Sequence, residues 1–169
     1  MDPFKEKIKV TALLSYHKGE RFLKTYLENV EQQTMFKHTE LFVVTSKLND
    51  NERKLFHAFK EKHPNNIVLF DDFELEPQSR YWNYGVQGAR GRYICIWNVD
   101  DLRTPYSIEN QYNTLQAHPE AIATFGYFVI SNNYGDLKGK LIDHSHYPKE
   151  EYIRSMLLGP FFMFDASNK

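Results

Sequence analysis

RYICIWNVDD, residues 92–101, begins as a strand and ends in two carboxylates. Tyr93 to Trp97 is a short apolar run rich in β-branched and aromatic residues, as fits a strand buried on both faces of a parallel sheet. A chain leaving such a strand emerges at the carboxyl edge of the sheet, where open α/β folds bind ligands. Asp100 and Asp101 therefore stand at the mouth of a candidate site. Adjacent carboxylates repel one another unless a cation lies between them, and a hard divalent ion, Mg²⁺ or Mn²⁺, takes oxygen ligands and brings phosphate with it. The plainer alternative is that Asp100 caps a turn and Asp101 is solvated.

Working outward, strands and helices alternate. Ile8 to Leu14 predicts a first buried strand, followed by the polar loop Ser15 to Gly19 and a helix with Phe22, Leu23, Tyr26, Leu27 and Val30 on one face. Glu40 to Thr45 predicts a second strand. Asn49 and Glu52 have the spacing of a capping box before a helix burying Leu55, Phe56 and Phe59. Asn66 to Phe70 predicts a third strand, ending in Asp71-Asp72, and Ser79 to Ala89 a helix leading into the central strand. Beyond it, Thr104-Pro105 reads as a helix start, with Ile108, Tyr112 and Leu115 buried and His118-Pro119 as the stop. Ala121 to Ser131 predicts one longer strand, 132–136 a turn, and 136–142 a returning hairpin strand. A helix from Pro148 to Leu158 and a strand over 161–164 complete the chain. Parallel strands need helical crossovers, so the fold class is α/β, with a mixed, mainly parallel sheet flanked by helices.

The bulk properties narrow the function. One domain over 1–169 is expected, and 21 basic against 22 acidic residues leave no electrostatic footprint for nucleic acid or an anionic membrane. The single cysteine, Cys95, sits mid-strand and reads as a packed hydrophobe, which suits a reducing compartment. With no secretory h-region and no run of membrane-spanning length, a cytoplasmic location is expected. Strand ends converge in space, and they deliver Ser15, Tyr16, Thr45, Ser46, Asp71, Asp72, Asn98, Asp100 and Asp101. An aromatic face, hydroxyls and carboxylates around a divalent ion suit a nucleoside diphosphate, with its base stacked on Tyr16. No glycine-rich phosphate loop follows the first strand, which weighs against dinucleotide, P-loop and nucleotidyltransferase readings. His144 and His146 lack a cysteine partner and read as surface residues rather than zinc ligands.

Asn83-Tyr84-Gly85, then Ala89-Arg90-Gly91-Arg92-Tyr93-Ile94, then Asn98-Val99-Asp100-Asp101 resembles the N-x-G, A-x-G-x-Y-I and D-x-D-D run of the family-2 glycosyltransferases of the GT-A fold. The opening from Val10 is similar as well, down to Gln33-Thr34 at the helix end. The resemblance implies metal-assisted transfer of a sugar from a nucleotide-diphosphate sugar, a UDP-sugar above all, to a saccharide, lipid or protein acceptor. It puts the metal on Asp100, assisted by Asp101, and the base at Tyr16, Thr45 and Ser46. Asn83, Asn98 and Val99 complete the implied donor site, with Asp72 and Arg80 as stand-ins. There are departures: Thr45-Ser46 replaces an Asp-Asp pair, Asn98 the first Asp of D-x-D, and Trp82 an arginine. The family's general base lies beyond the strand over 161–164, and Asp165 follows that strand too closely to serve. The base is therefore unassigned, the domain is expected to be C-terminally short, and the alternative is a non-catalytic nucleotide-sugar-binding or interaction module.

Overall fold

The computed structural model describes residues 8–71, 77–136, 138–143, 150 and 162–167. Its main sheet has the order β3-β2-β1-β4-β8-β5, built from β1 (Val10–Tyr16), β2 (Thr39–Thr45), β3 (Ile67–Phe70), β4 (Tyr93–Ile96), β5 (Ala123–Phe125) and β8 (Phe162–Asp165). β1 pairs in parallel with both β2 and β4, and β2 with β3, whereas β8 runs antiparallel between β4 and β5. The expected mixed, mainly parallel α/β sheet is thus the one found.

Alternation along the strands sorts the core into two layers. Val10, Ala12, Leu14 and Tyr16 of β1 face α1 (Glu20–Glu31), α2 (Asp50–Lys62) and α4 (Ser107–Ala117), meeting Leu23, Tyr26, Phe56 and Ile108. Leu13, Phe42, Val44 and Ile94 face the other way, toward Tyr81 of α3 (Gln78–Gly88). α3 approaches this face closely: a Cβ on Gly85 would lie 2.0 Å from Leu13 Cδ1. Asn49 and Glu52 form the expected capping box of α2.

Because β1 stands between β2 and β4, the chain crosses from one half of the sheet to the other there. The carboxyl ends of β1 and β4 consequently splay apart and leave a crevice. At the opposite, amino edge, the buried Glu40 carboxylate accepts from the Thr11 hydroxyl and the Arg90 backbone N–H, each at 2.6 Å, and pairs with the Arg90 side chain. Glu40→Ala is expected to cost about 2 kcal/mol in chemical denaturation by stranding those donors, and Glu40→Gln less, because its amide oxygen still accepts.

Three expectations are corrected or fall elsewhere. The run 121–131 is two strands, broken at Gly126: β5 joins the main sheet, while β6 (Phe128–Ile130) pairs with β7 (Lys140–Ile142) in a second, two-stranded sheet. A single straight strand cannot serve both sheets. Thr104 and Pro105 lie outside α4, since their carbonyls accept from Gln33 and Thr34 of the distant α1 end. The first strand runs on to Tyr16 instead of ending at Leu14. Asp72, His144, His146 and the expected helix 148–158, apart from Glu150, lie outside the described residues. Among the described residues no helix is long and apolar enough to cross a membrane.

Candidate active site

The crevice is a cleft of about 530 Å³, lined by Ser15, His17, Lys18, Gly19 and Phe22 from β1 and the start of α1, by Gln78 and Tyr81 of α3, and by Asn98, Val99 and Asp100 after β4. Gly19 is the N-cap of α1 and Gln78 the first residue of α3, and neither helix start carries a side-chain cap. Two helix N-termini whose N-cap residues supply no side-chain cap therefore border one cleft, where their dipoles favour an anion. Lys18 holds φ at 49°, the left-handed region, at a cost of roughly 1 kcal/mol for a side-chain-bearing residue. Beyond the two strands the segments that follow them touch: a Cβ on Gly19 would fall 2.6 Å from the Val99 side chain at Cγ1.

The segment after β4 is held rigidly. Asn29 of α1 donates to the Arg103 carbonyl at 2.9 Å and accepts from its N–H at 2.8 Å. One turn later Gln33 donates to the Thr104 carbonyl at 3.1 Å, and the Thr34 N–H to Pro105 at 2.9 Å. The Tyr26 hydroxyl donates to the Trp97 carbonyl, and the Trp97 indole N–H to the Asp101 carbonyl at 2.9 Å. From the α4 side the buried Arg103 guanidinium reaches Ile96, Ser107 and Gln111 and lies over the Trp97 ring. The acid pair thus rides on a loop fixed at both flanks.

Asp100 is exposed and Asp101 half-buried, with Oδ2 of Asp101 buried and without a hydrogen-bond partner. Burial, then the neighbouring Asp100 charge, pushes the Asp101 carboxyl up to about 6, against the pull of Asn98 and Arg103. The pair is short of positive charge. Among the described residues no group of three or more His, Cys, Asp or Glu forms a self-sufficient metal cage. Mg²⁺ and Mn²⁺ sites of one or two carboxylates completed by phosphate and water need no such cage, so an orphaned carboxylate oxygen, a second carboxylate and the Asn98 amide fit that class of ion.

The other expected residues are dispersed. Ser15 lines the cleft and accepts from Gln78 at 3.0 Å. Tyr16 and Thr45 are fully buried. The Tyr16 ring meets Phe56 edge-on at 5.2 Å and its hydroxyl donates to Glu52 at 2.6 Å, so the stacking face expected for a base is taken by the core. Burial and the Glu52 charge hold that hydroxyl far above its usual range. The Thr45 hydroxyl is buried without a hydrogen-bond partner, and Ser46 beyond it is half-buried. Arg80 and Asn83 are exposed on α3.

Sequence reasoning missed Tyr134. Its ring sits 4.7 Å from Phe22, and its hydroxyl feels the Asp100 and Asp101 charges, which with burial push it up to about 12. The turn signal over 132–136 was legible, but not the surface on which that turn docks. Asp165 stands opposite Tyr93, the first residue of β4, at the sheet edge away from the cleft, and Arg92 grips its carboxylate with 2.6 and 3.1 Å bonds. That grip, first, holds the Asp165 carboxyl down to about 2. A lowered carboxyl contributes stability above its unfolded value near 4, lost as pH falls toward 2. Asp165→Asn should flatten the melting-temperature profile across that window, as thermal unfolding at stepped pH would show.

A sequence profile of the family described as Glycosyl transferase family 2 matches residues 12–167. The chain belongs to that family. The chain is similar to the minor teichoic acid biosynthesis protein GgaB of Bacillus subtilis (strain 168), 28% identical over 113 residues that make up 66% of this chain and 12% of GgaB. The chain spans less than half the length of the curated relatives it matches. In fold it is similar to the mannosyltransferase PcManGT of Pyrobaculum calidifontis, solved with GDP-Man and Mn²⁺ (TM-score 0.61, 22% identity, 69% of this chain and 34% of that one). It is also similar to S. aureus TarS 1-349 (TM-score 0.69, 12% identity, 95% of this chain and 48% of that one), a protein also solved with UDP and with UDP-GlcNAc. The fold of this family-2 chain is therefore the GT-A fold of those glycosyltransferases.

Proposed function

We propose that residues 1–169 form one GT-A domain that binds a nucleoside-diphosphate sugar and transfers its sugar to an acceptor, with a UDP-sugar as the leading donor. The observation that carries this reading is Asp100 lining a cleft bordered by two helix N-termini, with the half-buried Asp101 next to it in the chain. Asp100 and Asp101 would hold Mg²⁺ or Mn²⁺, with Asn98 beside them, and the ion would offset charge growing on the departing diphosphate. The starts of α1 and α3 face the phosphates, and Ser15 offers a hydroxyl between them. Ser46 is the residue proposed to meet the base, while Tyr16 and Thr45, both fully buried, would only support that end from beneath. Asn83, Val99, Arg80 and Asp72 complete the proposed donor-site set. The single buried cysteine and the nucleotide substrate agree with a cytoplasmic location.

The solved structures similar in fold were obtained with a guanosine nucleotide in one case and a uridine nucleotide in another, so the base is the point to test. Thermal unfolding with UDP, GDP and CDP, each with Mn²⁺ and with chelator, is expected to show a metal-dependent rise for one of them. The rise should approach about 2.7 kcal/mol at a hundredfold excess over Kd. No rise with any nucleotide would sink the donor-site reading. Asn29→Ala should weaken the metal-dependent affinity about tenfold while leaving the melting temperature within a few degrees, because it frees the loop that carries the acids. Isothermal titration calorimetry reads both Kd and its metal dependence.

A further inference from the structure

Past the acid pair the cleft wall turns aromatic. Phe22 lines the cleft, and the Arg21 guanidinium lies over its ring at 4.3 Å. Tyr134 leans against Phe22, with ring centroids 4.7 Å apart and planes at 53°, and is 39% exposed. The turn that carries it is built to stay put. Asn133 donates its N–H to the Ser131 hydroxyl, and Gly135 adopts a φ of +81° that favours glycine. Gly135 packs toward Leu102, so the turn docks on the segment that holds Asp100 and Asp101.

We infer that the Phe22 and Tyr134 rings form a stacking platform for a pyranose ring of the acceptor, which makes the acceptor a saccharide. The inference rests on the donor-site reading above and adds the acceptor's chemistry. A pyranose has a face of C–H groups and an edge of hydroxyls; the first suits a tilted aromatic pair and the second suits nearby carboxylates. Both lie here within one rim. A lipid chain would need a continuous apolar groove, and this rim is interrupted by His17, Lys18 and Asp100. A donor sugar, tied to its diphosphate, belongs in the cleft beside Asn98 and Val99, whereas Tyr134 packs on Phe22 outside the set of residues that line it.

Saturation-transfer NMR on the full chain with UDP and Mn²⁺ present, using methyl pyranosides of glucose, N-acetylglucosamine and mannose and their β-linked disaccharides, tests this. At least one probe is expected to bind, with saturation strongest on the ring C–H protons. Tyr134→Ala and Phe22→Ala should each weaken it about tenfold, and Tyr134→Phe less than about twofold, since the ring is what matters. UDP affinity of Tyr134→Ala, measured in parallel, should not change. Saccharide binding that survives Tyr134→Ala, or that no probe shows while UDP binds, overturns the platform. If Tyr134→Ala weakens a UDP-sugar but not a free pyranoside, the rings serve the donor and the acceptor assignment is overturned. Saccharide binding that responds to Tyr134 while no nucleotide binds overturns the donor-site reading alone.

Discussion

Asp100→Ala is expected to lower kcat/KM for sugar transfer by about 10³-fold or more while the protein melts no lower than the parent. On the proposed function, the activity loss follows from removing a ligand of an ion that would supply several kcal/mol of transition-state stabilisation, at 1.36 kcal/mol per factor of ten. The unchanged or raised melting temperature follows from the geometry. Asp100 is exposed and is the second cause, after burial, of the raised Asp101 carboxyl. Deleting it relieves a like-charge contact and breaks no packing. A variant that fails to fold, or one that keeps transfer at parental Mn²⁺ dependence, would contradict the metal assignment from opposite sides. Transfer rates over a Mn²⁺ series, with a melt on each sample, separate the two.

Gly91→Ala should produce the largest loss of stability, about 3 kcal/mol, which in a domain of this size lowers the melting temperature by roughly 6–12 °C. The added Cβ would fall 2.6 Å from both the Thr11 nitrogen and the Val10 carbonyl carbon, and backbone cannot step aside as a side-chain tip can. The Gly91 N–H also donates to the Thr11 hydroxyl at 3.0 Å, within the Glu40 and Arg90 cluster. The strain therefore enters where β1 and β4 begin to pair. The cleft lies at the far end of the same two strands, so the fraction still folded should bind nucleotide normally. Guanidinium denaturation and calorimetry check the two halves.

The sheet was legible because its strands are short runs of β-branched and aromatic residues separated by amphipathic helices, with local signals such as Asn49 and Glu52 in place. The order of events around the site was less so. Period-two counting from Val10 puts Tyr16 on the same face as Ala12 and Leu14, yet both faces of β1 are apolar, so nothing in the sequence marks where the strand stops. A tyrosine at a strand end then reads as a ligand contact when it is a core residue. Asp100, Asn98 and Ser15 were legible at the cleft because a strand's exit point is a local property. Tyr134 was not, since a turn motif gives a conformation and no address. Gln33 and Thr34 were visible only as a resemblance; their partners lie 71 residues away.

Helix α1, with the residues that flank it, touches the cleft at Gly19 and Phe22 and grips the acid loop through Asn29, Gln33 and Thr34. It works as a ruler. From Gly19 to Asn29 the helix advances about 15 Å, and each added residue would also swing everything after it by about 100°. One inserted residue would turn Asn29 and Gln33 away from the loop they fix, even with every side chain retained. Length in this helix is therefore as strictly determined as identity is proposed to be at Asp100.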